Sequence, residues 1–123
     1  MPTHRIQFLR RRGLDENKGY SLTFLSKETG VKRKDLQEVY DRGAGAWKTN
    51  IKSVRMKGTF KKNVNAPRKK KLPKEMWAKA RVYAFLNKLD RIKDRKQSRM
   101  NQDCDIARKY YTFHGEAKKF KCV

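Results

Sequence analysis

The sequence is poor in the residues that build disulfide-rich, membrane-spanning or acidic proteins. Its 123 residues include two cysteines, three prolines and only 12 acidic residues, against 34 lysines and arginines. Two cysteines are too few for a disulfide scaffold, so a reducing compartment is the simpler expectation. No run of eighteen apolar residues occurs, and the basic start lacks the apolar stretch of a signal peptide. We therefore expect neither a spanning helix nor ordinary secretion.

The sequence also lacks recognisable catalytic or metal-binding patterns. It has no nucleophile with its base, no glycine-rich phosphate loop and no paired-carboxylate site. Cys104, His114 and Cys122 have spacings that fit none of the usual zinc patterns, and a disulfide between the cysteines fits them better than a metal. Asp103 and Asp105 are better explained as helix-capping residues than as catalysts. We expect no enzymatic activity, no catalytic residues, no cofactor and no metal.

What the sequence has in excess is positive charge. The formal net charge is +22, and hydrophobic residues make up 37% of the chain. A small core of this kind does not favour a deep preformed pocket, so a binding or assembly role is expected, with no small-molecule substrate. Such a charge indicates a polyanionic partner, which can be nucleic acid, an anionic membrane surface or acidic patches on another protein.

The distribution of charge divides the chain into four segments. Residues 1–18 are predicted as a basic N-terminal arm, and residues 19–43, with balanced charges, as a helical hairpin. Residues 44–73 are predicted as an extended basic connector, since no acidic residue occurs from position 42 to 74. Residues 74–123 return to mixed signs and are predicted as C-terminal helices that pack on the hairpin.

Helical periodicity flanks the connector on both sides. In the hairpin, Ser21 or Thr23 can cap the first helix, Gly30 can turn the chain, and Gly43 suits the left-handed end of the second helix. After the connector, Pro73 can begin a helix whose apolar positions follow the i, i+3, i+4, i+7 rule, and Asn101 can cap a last one. The expected fold is all-α, a small domain of three to four helices.

Residues 25–40 are similar to a helix-turn-helix unit. Gly30 would lie in the turn, and Lys32, Arg33 and Lys34 at the start of the second helix could face phosphate. The alternative is a plain helical hairpin in which Gly30 only turns the chain. The unit is charge-neutral, whereas a helix that enters a groove of DNA should be basic.

The predicted binding residues lie in the arm and the connector. Clustered cations without counter-charges would release counterions on a polyanion, so their affinity should fall steeply with salt. Trp47 and Phe60 are predicted to anchor the connector on a partner surface, because a purely solvated segment seldom carries large apolar residues. The predicted polyanion-binding residues are Arg10, Arg11, Arg12, Lys61, Lys62, Arg68, Lys69, Lys70 and Lys71.

Three short blocks carry a family resemblance. The first block is Tyr40-Asp41-Arg42-Gly43 with Ala46-Trp47. The second is the segment 77–86, which contains Trp77-Ala78 and Arg81-Val82-Tyr83, and the third is residues 103–107. Over residues 21–110 the chain resembles a small basic domain family of uncharacterised function found in large DNA viruses of algae and protists and in some large phages. The resemblance implies a viral setting and no known enzymatic activity. In those relatives a short loop containing proline and glycine joins the first two blocks, whereas here the join is longer and more basic.

These observations lead to two functional hypotheses. The first is a non-enzymatic viral structural protein, a minor capsid protein that docks on the shell and clamps neighbouring capsid proteins, inner membrane or genome through its basic extended segments. It would reside in the virion, and in the host cytoplasm during assembly. The alternative is a nucleic-acid-binding protein for genome packaging or transcription, which would use the helix-turn-helix-like unit.

Overall fold

In a computed structural model, five helices and one minimal strand pair are built from residues 3–49, 73–94, 99–100, 102–110 and 121–122, the residues that the structure describes. The helices are α1 (His4–Arg11), α2 (Leu22–Thr29), α3 (Arg33–Thr49), α4 (Lys74–Lys93) and α5 (Cys104–Ala107). Strand β1 (Arg99–Met100) pairs in parallel with β2 (Lys121–Cys122), with Met100 opposite Cys122. This architecture confirms the all-α class. None of the described helices is both long enough and apolar enough to cross a membrane.

Helix α4 forms the centre of the domain, and both α1 and α3 pack on it. It begins after Pro73, as predicted, because the fixed φ of proline and its missing N–H suit the start of a helix. The predicted apolar stripe is buried, and further buried residues spread around the helix because it has neighbours on more than one side. The buried apolar residues of α4 are Ala78, Val82, Tyr83, Phe85, Leu86, Leu89 and Ile92.

The predicted hairpin of α2 and α3 is confirmed. The Ser21 hydroxyl accepts a hydrogen bond from the Phe24 N–H at 3.1 Å, which caps α2. Gly30 ends α2 with φ 79°, a left-handed conformation that glycine adopts without steric cost. The apolar side chains of the two helices face α4 and join the core; they are Leu25, Val31, Leu36 and Val39.

The predicted end of the second helix at Gly43 is wrong. Helix α3 continues to Thr49, so the segment assigned to the connector from residue 44 begins as helix. A Cβ atom on Gly43 would lie 2.9 Å from the Ala78 Cα atom, closer than real Cβ contacts. Gly43 is therefore an interior helical residue whose missing side chain lets α3 approach the backbone of α4.

The structure also differs from the basic arm predicted for residues 1–18. Thr3 caps α1, and Phe8 and Leu9 of this helix are fully buried in the core. The Phe8 and Tyr83 rings contact each other with centroids 5.9 Å apart. Phe8 and Leu9 are enough to bury one side of the eight-residue helix α1, although three arginines follow them directly. This is possible because α4 supplies the opposing apolar surface.

Among the described residues after α4, one helical turn, α5, stands where the sequence predicts a helix from the Asn101 cap through Tyr110. Asp103 precedes α5 with φ 57° and makes no side-chain capping bond, so the predicted capping role is wrong for this residue; Asn101 lies outside the described residues. Cys104 is disulfide-bonded, and the only other cysteine of the sequence is Cys122. A bonded Cys104 favours the disulfide alternative over a metal site.

Candidate functional site

The carboxylate of Asp103 joins two arginines from two different helices. The Arg42 Nη1 atom of α3 lies 3.1 Å from Asp103 Oδ1, and Arg81 of α4 donates two hydrogen bonds of 3.0 Å to the same carboxylate. The Asp103 side chain is only 1% exposed, whereas those of Arg42 and Arg81 are 34% and 20% exposed. A carboxylate this deeply buried needs such partners, because an unpaired charge at this depth would be strongly destabilising.

Arg42 extends this cluster to two further carboxylates. Its Nη atoms bind both oxygens of Asp105 at 2.9 and 2.8 Å, and its Nε atom binds Glu38 one helical turn away at 3.1 Å. The hydrogen bond from Arg42 lowers the pKa of Asp105 to about 2, and the same bond raises the pKa of Arg42. The cluster ties α3, α4 and α5 together, and its two arginines face three carboxylates, so it is a structural junction and presents no net positive surface.

The predicted polyanion-binding arginines of α1 also have internal partners. Arg12 donates two hydrogen bonds to the Asp90 carboxylate at 3.0 and 2.7 Å, and a third to the Glu28 carbonyl oxygen at 2.8 Å. Arg11 donates to Asn87, and Arg10 pairs with Glu16. Arg10 remains 63% exposed at its side chain, but Arg12 is only 22% exposed. Three consecutive arginines thus point to three different partners, and Arg12 is a tie between α1 and α4.

The remaining predicted site residues divide between described and undescribed parts of the chain. Trp47 lies near the end of α3 and is partly buried. Phe60 and the six predicted cations of the connector lie outside the described residues, so their roles stay predictions; these cations are Lys61, Lys62, Arg68, Lys69, Lys70 and Lys71.

A basic surface lies where the turn after α5 meets the start of α3. The Tyr110 hydroxyl accepts a hydrogen bond from the Lys32 N–H at 3.0 Å and donates one to Asp35. Lys109 pairs with Asp35 at 3.2 Å. These contacts bring two exposed groups of cations together, and we call their surface the α3 basic surface. It comprises Lys32, Arg33, Lys34, Arg108 and Lys109.

The buried carboxylate of Asp35 holds Lys109 and Tyr110 of this surface in place. Its burial would raise its pKa, but hydrogen bonds from Tyr110 and Lys109 outweigh burial and hold the pKa below its ordinary value. Asp35 is 6% exposed, so the carboxylate fixes the turn in place without reaching the surface itself. Sequence reasoning singled out Lys32, Arg33 and Lys34 but missed Arg108 and Lys109, because 74 positions separate Lys109 from Asp35.

Many carboxylates of the domain are neutralised by ion pairs. Within the described residues, at least seven carboxylates form ion pairs, all with arginine or lysine. Several of these pairs share an arginine, so many lysines are left to face solvent. The folded domain therefore has a net positive exterior, because its unpaired cations face solvent while its paired cations are neutralised by the carboxylates they contact. No group of three or more potential metal ligands occurs among these residues.

Comparison with known proteins identifies a family. The model of a family of unknown function, DUF5824, matches residues 6–109. No curated protein and no solved structure gave a match. The matched range covers α1 from Ile6 onwards, whereas the resemblance covered only residues 21–110. It also contains Arg42, Arg81 and Asp103, the residues of the buried junction. Because the match spans most of its length, the chain belongs to this family of unknown function.

Proposed function

We propose that the protein is a non-enzymatic viral structural protein, a minor capsid protein that clamps neighbouring capsid proteins, inner membrane or genome. The viral setting is supported by the resemblance of its three sequence blocks to a family of large DNA viruses and phages. The structural role is supported by the presence, in one chain, of a small helical domain held together by internal ion pairs and a long segment whose charged residues are all basic. Such a domain can hold a position while the segment contacts a polyanionic neighbour.

The observation that carries this proposal is the placement of the basic segment. Residues 50–72 contain nine lysines and arginines and no acidic residue. Helix α3 ends at Thr49, six residues beyond Gly43, and α4 begins at Lys74, four residues before Ala78. Because Gly43 contacts Ala78, both ends of the segment start within about two helical turns of one contact. A segment fixed at both ends loses less entropy when it binds than a free tail does.

A second candidate function is nucleic-acid binding by the folded domain. It is favoured by the α3 basic surface, which lies at the start of the second helix of the helix-turn-helix-like pair. In this alternative the exposed cations Lys32, Arg33 and Lys34 contact phosphates, and residues 50–72 only add affinity.

The two functions can be separated by removing three positive charges either from the basic segment or from the α3 basic surface. One virus variant carries Lys69→Gln, Lys70→Gln and Lys71→Gln, and the matched control carries Lys32→Gln, Arg33→Gln and Lys34→Gln. Each removes three positive charges. We expect the first variant to lower the amount of this protein in purified particles several-fold, measured by quantitative mass spectrometry, and the second to leave it unchanged.

The location of the protein in the particle gives an independent measurement. Particles are treated with detergent and then nuclease in graded salt, and the protein is followed in the shell and released fractions. Retention with the empty shell supports the capsid role. Release with the nucleic acid, together with loss of binding in the variant of residues 32–34, would replace it by nucleic-acid binding.

A further inference from the structure

The domain contains a cavity that neither the charge clusters nor the proposed function uses. It has a volume of about 440 Å³ and lies between the start of α1, residues 19–20 and the first half of α4. This volume is within the range of small-molecule sites in proteins. Sequence reasoning expected no deep pocket in so small a core, so the cavity is a finding of the tertiary structure.

Tyr83, one of the residues that line this cavity, has a buried hydroxyl group. Tyr83 is 2% exposed, and its hydroxyl group forms no hydrogen bond of standard geometry among the described residues. Burial raises the pKa of Tyr83, and donor groups of Arg5 and of the Tyr20 backbone oppose this rise, so the oxygen has donors nearby but its proton has no acceptor. Buried hydroxyl groups are normally paired, because leaving one unpaired forfeits the hydrogen bonds that water would make. Its ring is held by the Phe8 ring on one side, so the hydroxyl cannot turn away without disturbing the core.

Two cations line the same cavity without an acidic neighbour on its wall. The Lys79 ammonium donates to the Tyr20 carbonyl oxygen, and burial lowers the pKa of Lys79. Arg5 lies over the Tyr83 ring at 5.8 Å and donates to the Lys18 carbonyl oxygen at 2.7 Å. No aspartate or glutamate occurs among the described residues that line the cavity. An ammonium with two remaining donors and a guanidinium thus belong to residues that line one cavity, and the described lining residues supply no counter-charge.

Exposed apolar side chains lie on and beside the lining of the cavity. Of the described residues, only Phe24 and Met76 are large hydrophobic side chains with an exposed surface, and Met76 is 57% exposed. Met76 lines the cavity, and Phe24 stacks at 4.7 Å on the Tyr20 ring, which also lines it. Exposed apolar side chains on or beside a cavity are a feature of ligand-binding sites.

We propose that this cavity binds a small organic anion with an apolar body, its acidic group meeting Lys79 and Arg5 and accepting a hydrogen bond from the Tyr83 hydroxyl. The apolar body of the ligand lies against Ile6, Met76 and Ala80. The ligand supplies the acceptor that Tyr83 lacks and the negative charge that the two cations lack. This inference is independent of the capsid role, since it uses no residue of the basic segment or of the α3 basic surface.

The test titrates the full-length protein with 4-phenylbutyrate and follows backbone amide chemical shifts by NMR. Two probes of matched size or charge are run beside it: the neutral alcohol 4-phenylbutan-1-ol and inorganic phosphate. We expect saturable shifts at residues of the cavity with 4-phenylbutyrate. The alcohol and inorganic phosphate are expected to bind at least about tenfold more weakly, because each lacks one half of the recognition.

Variants separate the cavity from general attraction to a basic protein. Tyr83→Phe keeps the ring and removes only the hydroxyl, and Lys79→Met keeps most of the stem and removes the charge. We expect 4-phenylbutyrate to bind about threefold to tenfold more weakly to the first and at least about tenfold more weakly to the second. The control Lys93→Met removes one charge from the exposed end of α4 and is expected to bind like the parent protein.

Three outcomes would overturn the inference. They are the absence of saturable binding, equal binding of the alcohol or of inorganic phosphate, and unchanged affinity in both Tyr83→Phe and Lys79→Met. Thermal unfolding of each variant is measured alongside, and Tyr83→Phe retains the core packing, so the test does not depend on a variant that fails to fold.

Discussion

Two arginine-rich regions of the domain are held in opposite ways. At the end of α1 and its C-cap, three consecutive arginines diverge to Glu16, Asn87 and Asp90, and only Arg12 is largely shielded from solvent. Between α3, α4 and α5, two arginines separated by 39 positions, Arg42 and Arg81, converge on one buried carboxylate. A run of charges along the sequence is therefore a poor guide to a charged patch in space, because each side chain pairs with whichever acceptor the fold places within its reach.

The largest effect is expected from breaking the convergent cluster at its centre. Asp103→Asn removes the counter-charge that Arg42 and Arg81 share, and it keeps a residue type that tolerates the left-handed backbone at φ 57°. Loss of one partner of a buried pair costs about 3–5 kcal/mol, and the partial exposure of both arginines should place this variant at about 3 kcal/mol. Urea unfolding of the full-length protein measures it. A loss below about 1 kcal/mol would show that solvent screens the cluster.

The next effect concerns the close approach that brings Arg42 and Arg81 together. Gly43→Ala places a methyl group 2.9 Å from the Ala78 Cα atom, so α3 and α4 must move apart. We expect a loss of about 1–3 kcal/mol in the free energy of unfolding.

Gly45→Ala is the matched control for Gly43→Ala, because it makes the same change two positions along the same helix. A Cβ atom at Gly45 meets nothing within 4 Å. Alanine should stabilise this helical position by about 0.5–1 kcal/mol. If both alanine variants changed stability in the same direction, the close approach at Gly43 would not be the determining feature.

A smaller loss of stability is expected when one of the three consecutive arginines at the end of α1 is replaced, and the loss should differ between Arg12 and Arg10. Arg12→Gln removes the two hydrogen bonds to Asp90 and should cost about 1–2 kcal/mol, since both side chains are largely shielded from solvent. Arg10→Gln makes the same chemical change at an exposed pair and should cost less than about 0.5 kcal/mol. Equal losses in thermal unfolding would contradict the distinction between the two arginines.

The smallest effect is the acid sensitivity of the outer edge of the convergent cluster. The pKa of Asp105 is about 2 in the folded protein, below the ordinary value of about 3.9 for an unfolded chain. Because the folded pKa is the lower one, the stabilisation is present above pH 4 and is lost as the pH falls towards 2. Asp105→Asn should therefore flatten the decline of the melting temperature between pH 4 and 2. Asp35 also contributes to the decline, so the slope should be reduced and not abolished.

Several features of the fold could be predicted from the sequence because they depend on local chemistry. Ser21 caps α2, Gly30 ends it, and Pro73 precedes α4, since each residue type satisfies or removes the same backbone groups in any protein. The apolar stripe of α4 was predicted from its spacing for the same reason.

Other features could not be predicted because they depend on what lies opposite in space. Gly43 was interpreted as a helix end, and residues 1–18 as an arm, since nothing in their neighbourhood along the chain shows that α4 will cover them. The partners of Asp103 lie 22 and 61 positions away, so local rules suggested only a capping role.

The sequence by itself determined the helical class, the hairpin turn, the start of α4 and the excess of positive charge. The tertiary structure alone decided which charges are paired, which glycine lets two helices meet, and where a cavity lined by Tyr83 is formed. The physical reason is the range of the interactions: caps, turns and periodicity act over a few residues, whereas ion pairs and close packing join residues that the chain keeps far apart.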